Sequence, residues 1–315
     1  MQSLEFAEIP AAALRAIAAR HELPGDPIVR LPQVGVINAI YALGEGHVLR
    51  VPRAHPGAVA QARAELVAAP AARAAGVRTP RLVAWGEAGD GLGVPYLIYE
   101  RIRGRNLGLL AWEPEALGVV WRALGHDLAL LHAAPLADGL RVEAPGADPR
   151  ALAEARAADG WFTGLEARWL IRWLDRLAPA VTAPIAPAPL HLDVQATNSM
   201  IAEAGWEYRA LLDWGCAGQG DPAWDCFGLP LRAIPHVLAG HRAVAPLPGD
   251  DGAEARILWR HLQLTLAVLP RGAAPGLSWG ERPLAWLLEL LRGRAGPALA
   301  RTAAMITAVR GTARR

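Results

Sequence analysis

His191-Leu192-Asp193-Val194-Gln195-Ala196-Thr197-Asn198 is the densest polar stretch in the apolar second half of the 315-residue chain, and Met200-Ile201 follows it closely. Fifteen residues past Asn198 comes Leu211-Leu212-Asp213-Trp214-Gly215. Two apolar, β-prone flanks, with a polar loop before the first and an acid after the second, predict a hairpin that presents Asp193, Asn198 and Asp213 together. One carboxylate and one amide, Asp213 and Asn198, form a hard oxygen pair. Such a pair suits Mg2+, which keeps waters and substrate phosphates in its other positions. Asp193 is then free to act as a base. The competing reading is a plain turn, in which Asp193 and Asn198 only hydrogen-bond local backbone.

Upstream, the order of elements reads as a helix, then a small sheet with one helix inserted. Ala11 to Ala19 is an alanine-rich helix candidate ended by Pro24-Gly25. Three β-prone runs, Pro27 to Leu31, Ala39 to Leu43 and Val48 to Val51, have turn-like connections and predict an antiparallel meander. Pro56 opens a helix through Glu65 that Pro70 is expected to break or kink, and Gly76 closes the region. Arg81 to Trp85 and Tyr96 to Ile102 complete a sheet of roughly five strands.

From Leu107 the pattern changes to amphipathic helices, which places a lobe boundary near Glu100 to Gly104 and divides the chain into residues 1–101 and 102–315. Glu115 to His132 is helical by the spacing of Leu117, Leu124, Leu128 and Leu131. In Leu165 to Leu177 the row Leu165, Trp169, Trp173, Leu177 is expected to face the core, opposite Arg168, Arg172 and Arg176. Glu254 to Val268, Arg282 to Arg292 and Pro297 to Val309 read as terminal helices. The uncharged run Leu177 to Leu192 holds four prolines and is shorter than the ~20 residues of a membrane span, so a linker is expected there.

Composition narrows the chemistry. Hydrophobic residues at 53% and charged ones at 20% fit a globular chain. All 32 basic residues are arginine, which excludes Schiff-base lysines, pyridoxal phosphate anchors and P-loop lysines. Charge is spread evenly along the chain, with no basic stripe to mark a nucleic-acid partner, and the tail Arg310 to Arg315 reads as a solvated end. Cys216 and Cys226 fit no metal-ligand pair and are expected to be reduced and packed. Met1 to Glu5 lacks the start of a signal peptide, so the expected compartment is the cytoplasm, with no membrane partner.

Taken together, His191-x-Asp193-x-x-x-x-Asn198, Asp213-Trp214 and Gly220-Asp221-Pro222-x-x-Asp225 resemble the aminoglycoside phosphotransferase and choline kinase family. Gly35-Val36-Ile37-Asn38 with Ile40-Tyr41 resembles that family's phosphate-loop hairpin, Val48 to Pro52 its third strand, Glu65 the acid of its inserted helix, and Tyr96 to Arg101 the strand leading into its hinge. The likeness spans residues from about 25 to 230. It implies an α+β, bilobal, protein-kinase-like fold, with a small antiparallel N-terminal lobe and a larger, mostly helical C-terminal lobe. It also implies a small-molecule kinase that moves the γ-phosphate of ATP or GTP, with Mg2+, to a hydroxyl of a small acceptor such as an aminoglycoside or macrolide. Asp193 is then the proton acceptor, and Asn198 and Asp213 hold the metal. Arg50 pairs the α/β-phosphates and is aimed by Glu65. Asn38 belongs to the phosphate loop, and backbone groups of Glu100 to Ile102 meet the purine. His191, Asp221 and Asp225 are expected to support the Asp193 loop.

Three positions depart from the family pattern. Arg50 stands where lysine is expected, Leu192 replaces a glycine, which matters if that backbone needs a positive φ, and Ile37 replaces a small hydroxyl residue. These departures motivate the alternative of an inactive, nucleotide-binding pseudokinase-like protein. His132 reads as a packed helix terminus, while Trp112, Trp161 and Trp279 are candidates to line an acceptor pocket. Gly276-Leu277-Ser278-Trp279-Gly280 matches an esterase elbow, but it lacks a preceding strand and a later histidine.

Overall fold

The computed structural model describes residues 9–32, 37–111, 117–274 and 279–291. After α1 (Ala11–Arg20), strands β1 (Ile28–Arg30), β2 (Asn38–Leu43), β3 (His47–Pro52), β4 (Leu82–Gly86) and β5 (Tyr96–Glu100) form one sheet in the order β1-β2-β3-β5-β4. Every neighbouring pair is antiparallel, as the meander reading expects. Alternation along each strand then assigns the two faces. Leu49, Val51, Tyr96 and Ile98 join Leu14 and Ile17 of α1 in one cluster. Leu97 and Tyr99 turn the other way, toward Ala62, Ala69 and Ala72 of α2 (Pro56–Ala74). Arg50 sits between Leu49 and Val51, so the same alternation sends its guanidinium to the α2 side.

Pro56 supplies the preset first turn of α2, and the His55 ring caps it by accepting from the Gly57 N–H at 3.2 Å. The helix does not stop at Pro70 but continues to Ala74. Pro70 is exposed while Ala68, Ala69 and Ala72 are buried, so the hydrogen bond removed by the ring is lost on the water side and packing carries the helix through.

In the second half, α3 (Gly118–His132) crosses α6 (Ile234–Arg242) at very short range. A Cβ added to Gly125 would meet the Val237 carbonyl oxygen at 2.0 Å, and one on Gly240 would meet that of Arg122 at 1.9 Å. Only glycine fits at either position, and the crossing brings His132 and His241 together. The sequence reading assigns no helix to α6 or to α4 (Pro149–Ala158). For α4 the signal is legible, since the Asp148 side chain caps the helix and Pro149 opens it.

The helix expected at Leu165 is α5 (Gly164–Thr182), started by a capping box between Thr163 and Glu166. Its buried stripe is Ala167, Leu170, Leu174 and Leu177. The expected face is therefore only half right: Leu177 is buried and Trp173 packs against the core, but Leu165 is 72% and Trp169 49% exposed. Both rows have helical spacing and share Leu177, but the smaller side chains seat closely against α4 and α7 (Ala253–Val268). The exposed Trp169 ring leans on that of Trp173, with centroids 5.9 Å apart. The expected linker is also partly structured, because α5 runs through Pro179 to Thr182 and Ala188–Leu190 forms β8. Strand β8 is an edge of a small sheet with β11 (Gly218–Gly220) and β7 (Arg141–Val142), where a proline is tolerated.

α8 (Pro283–Leu291) closes the described chain; the expected helix at Pro297 to Val309, the Arg310 to Arg315 tail and Trp112 lie outside the described residues. Cys216 and Cys226 are free thiols, both pushed up by burial, Cys216 to about 12. Among the described residues no helix is long and apolar enough to cross a membrane.

His261 of α7 is buried against Trp286, with ring centroids 6.0 Å apart, and burial pushes its imidazole down to about 4. An unfolded histidine titrates near 6.5, so the folded ring resists its proton. The stability it contributes is complete above about pH 6.5 and is lost as pH falls toward 4, a difference of about 3 kcal/mol. Urea unfolding followed from pH 7 to pH 4 is expected to show a steeper loss in the wild type than in His261→Phe, by about that amount.

Candidate active site

The expected hairpin is formed by β9 (Ser199–Ile201) and β10 (Tyr208–Leu211), with β6 (Arg105–Asn106) on the far side of β9. The Asp193 loop enters β9 and Asp213 follows β10. Asn198 Nδ2 donates to Asp193 Oδ2 and to the Asp193 carbonyl, each at 2.8 Å, and Gln195 Nε2 donates to Asp193 Oδ1 at 2.7 Å. The Leu212 N–H donates to the Asn198 carbonyl at 2.8 Å. His191 laces the same two segments, donating from Nε2 to the Leu212 carbonyl at 3.0 Å and accepting the Asp193 N–H on Nδ1 at 3.2 Å. That pattern requires a neutral ring, and burial pushes His191 down accordingly. Asp193, Asn198 and Asp213 therefore converge, and Asn198 does more than close a turn.

The two carboxylates sit in different fields. Burial first, then the charge of Asp213, pushes Asp193 up to about 7, against the N–H groups of Asn198 and Gln195. Asp213 is also pushed up by burial, but the Arg50 guanidinium at 2.8 Å outweighs this and holds it below the usual carboxylate range. One acid is thus poised to take a proton while its neighbour stays ionised. The other arm of Arg50 contacts Glu65 directly, and burial drives that carboxyl up, to about 7, against the pull of Arg50. Arg50 itself is held charged, since Asp213 and Glu65 together overcome the cost of its burial.

Leu192 has φ +61° and Asp213 φ +68°. The loop thus does need the left-handed backbone that glycine adopts freely, and leucine there costs about 1–2 kcal/mol. Two things offset that strain. The Leu192 side chain is only 6% exposed, and its N–H donates to Asp225 Oδ1 at 2.7 Å. Asp225 Oδ2 also accepts the His191 N–H at 3.1 Å. Asp221 is employed elsewhere, capping the turn Pro222–Cys226 and accepting from Arg256 Nε at 2.8 Å.

Other expected residues lie around this cluster. Asn38 begins β2, opposite Pro52 of β3. The Glu100 side chain is exposed, and the amides of Glu100 and Arg101 bond to the Arg81 and Gly46 carbonyls, so the remaining amide of the segment is that of Ile102. Trp279 meets Phe227 edge-on at 5.0 Å, and Gly228 between them lies against the Val194 carbonyl of the loop, whereas Trp161 is on the surface beyond α4. Sequence reasoning gave no role to Gln195, although it sits two residues from Asp193. It also missed His241, 109 positions from His132.

Among the described residues no group of three or more His, Cys, Asp or Glu is arranged to hold a metal ion. The oxygen pair of Asn198 and Asp213 still fits Mg2+. The amide turns its NH2 toward Asp193, directing its oxygen away, and Asp213 is ionised.

The profile of the phosphotransferase enzyme family matches residues 28–229, nearly the span of the resemblance read from sequence. The chain belongs to this family. Solved structures share the fold at low identity. The GDP complex of wild-type aminoglycoside 2'-phosphotransferase-IIIa superposes with a TM-score of 0.62 at 18% identity, over 84% of this chain and 92% of that one. A choline/ethanolamine kinase family protein from Mesorhizobium loti gives 0.57 at 22% identity, over 83% and 84%. The ADP-bound aminoglycoside phosphotransferase APH(2'')-Ib gives 0.54 at 16% identity, over 91% and 98%. No curated protein matches significantly. The kinase-like α+β fold of this phosphotransferase-family chain is therefore established.

Asp225 is fully buried, accepts the His191 and Leu192 N–H groups, and lies 2.9 Å from the Nε2 of His132. Asp225→Ala leaves these donors unpaired and is expected to lower the unfolding free energy by about 3–5 kcal/mol, read by urea denaturation. A loss under about 1 kcal/mol would show that the loop is held by other means.

Proposed function

We propose that the protein is a small-molecule kinase that transfers the γ-phosphate of ATP or GTP to a hydroxyl of a small acceptor. The observation that carries this reading is the unbroken chain of contacts from Glu65 through Arg50 to Asp213, and from Asp213 through Leu212 and Asn198 to Asp193. It joins groups suited to phosphate charge with a carboxylate suited to a hydroxyl proton, in a fold whose relatives include nucleotide complexes. In this reading residues 1–101 form the nucleotide lobe and 102–315 the acceptor lobe. The Ile102 amide and the Glu100 to Ile102 backbone meet the purine, and Asn38 borders the phosphates.

Phosphoryl transfer asks a protein mainly for positioning and charge neutralisation. Asp193, pushed up to about 7, accepts the proton of the attacking hydroxyl near neutral pH, and the amides of Gln195 and Asn198 fix the direction its oxygens face. Asn198 and Asp213 would hold Mg2+, which spreads the negative charge of the nucleotide phosphates. Arg50 presents a planar fork that suits phosphate oxygens as well as carboxylates, and Glu65 limits its swing. Solved relatives are complexes with kanamycin, streptomycin and gentamicin, which makes aminoglycosides the first acceptors to try, followed by macrolides and smaller alcohols. The reaction is expected in the cytoplasm, where nucleotide and Mg2+ are abundant.

Asp193→Asn is expected to lower kcat at least ~1,000-fold with the melting temperature within a few degrees, because the amide keeps the shape but cannot take the proton. Unchanged turnover would remove Asp193 as the base. Separately, a nucleotide at ~100 times its Kd should add about 2.7 kcal/mol of apparent stability in thermal shift, and omitting Mg2+ should abolish most of it. Binding without turnover on any hydroxyl would instead favour a nucleotide-binding, inactive protein.

A further inference from the structure

A line of buried imidazoles leads away from Asp225. His132 Nε2 lies 2.9 Å from Asp225 Oδ2, His132 Nδ1 lies 3.1 Å from His241 Nε2, and His241 Nδ1 lies 2.8 Å from the Ala245 carbonyl. The side chains of His132 and Asp225 are 3% and 0% exposed, and His241 is buried as well. Three contacts need three hydrogens. The Ala245 carbonyl can only accept, so His241 Nδ1 carries one. A neutral His241 then has a bare Nε2, to which His132 Nδ1 must donate. Both Asp225 oxygens already accept backbone amides, Oδ2 that of His191 and Oδ1 that of Leu192, the pattern of a group that serves this site as an acceptor. His132 Nε2 must therefore donate too. Two neutral imidazoles hold only two N–H hydrogens, and the line holds a third.

We propose that His132 is a buried imidazolium, protonated on both ring nitrogens, that acts as a positioning residue by pinning Asp225 and thereby the backbone of the Asp193 loop. The neighbours of the pair favour this placement of the extra hydrogen. Burial and the facing His132 ring push His241 down to about 4, with Asp250 and Arg242 the other charged groups acting on it. The carboxyl group that faces His132 accepts a backbone N–H on each oxygen, and such added hydrogen bonds are the condition under which a buried ion pair holds its geometry. The Gly125 and Gly240 contacts fix α3 against α6, so the two rings cannot separate without opening that crossing. With a bare His132 Nε2, two acceptors would face each other beneath Leu192, whose left-handed backbone depends on Asp225.

The positioning role rests on the reading of Asp193 as the base, whereas the hydrogen count does not. Imidazole 15N–1H correlation spectra of the full chain near neutral pH, with His132 assigned by the signals lost in His132→Gln, are expected to show N–H on both of its ring nitrogens. A bare nitrogen on His132 overturns the proposal, whether or not any acceptor is turned over. In the transfer assay, His132→Leu is expected to lower kcat about 100-fold with the nucleotide KM within about twofold. His132→Gln, which keeps a donor toward Asp225, should recover at least about tenfold of that loss. Wild-type kcat in a folded His132→Leu protein would overturn the positioning role, and if that variant does not fold, the wild-type spectrum still decides the protonation.

Discussion

A guanidinium that is only 8% exposed cannot stand without partners, and Arg50 has two, Glu65 on α2 and Asp213 at the end of β10. Leaving such a buried charge unpaired costs about 3–5 kcal/mol, so the sheet, the inserted helix and the Asp193 hairpin are held in one arrangement by a single side chain. Lysine would offer one compact charge at that point. Arginine offers a planar fork that reaches both carboxylates at once, in keeping with a chain that uses arginine for every fixed positive charge. The departure from the family pattern at position 50 is thus accommodated in the geometry.

Strain and restraint meet at the Asp193 loop. Leu192 and Asp213 both carry left-handed backbone, which L-residues adopt only when their surroundings insist. The insistence comes from hydrogen bonds, with Asp225 holding two consecutive amides below the loop and His191 tying it to the strand that delivers Asp213. Because these restraints are buried, Asp193 is held at the surface of a rigid support, and its two oxygens are further fixed by Gln195 and Asn198. Identical side-chain chemistry at 193 and 213 then acquires opposite character from location alone. One carboxylate is raised by burial and a neighbouring charge, and the other is lowered by a guanidinium.

Much of this was legible before any coordinates. β-prone runs with turn-like connections and the Pro56 start gave the five-stranded sheet and its inserted helix, and the polar cluster between apolar runs gave the hairpin with its three converging residues. Helix faces were less legible. On α5 two rows of apolar residues share helical spacing, and the choice between Trp169 and Leu170 depends on which side chains fit the gap left by α4 and α7, which periodicity does not contain. Pro70, read as breaking or kinking α2, does not break it, and α5 runs past Pro179 into the expected linker, since a proline ends a helix only when packing does not continue beyond it.

The sequence marked Asp193, Asn198 and Asp213 as converging candidates through residue types at short spacings, and its resemblance to the family supplied the fold class and added Arg50 and Glu65 to the candidate set. Tertiary structure decided the rest: that Arg50 grips two acids, that Leu192 tolerates a positive φ, that Gln195 steadies Asp193 and that His132 meets His241. Each of these depends on groups far apart in the chain whose encounter is set by backbone approach, as at Gly125 and Gly240, and by burial, and neither quantity is written in local spacing.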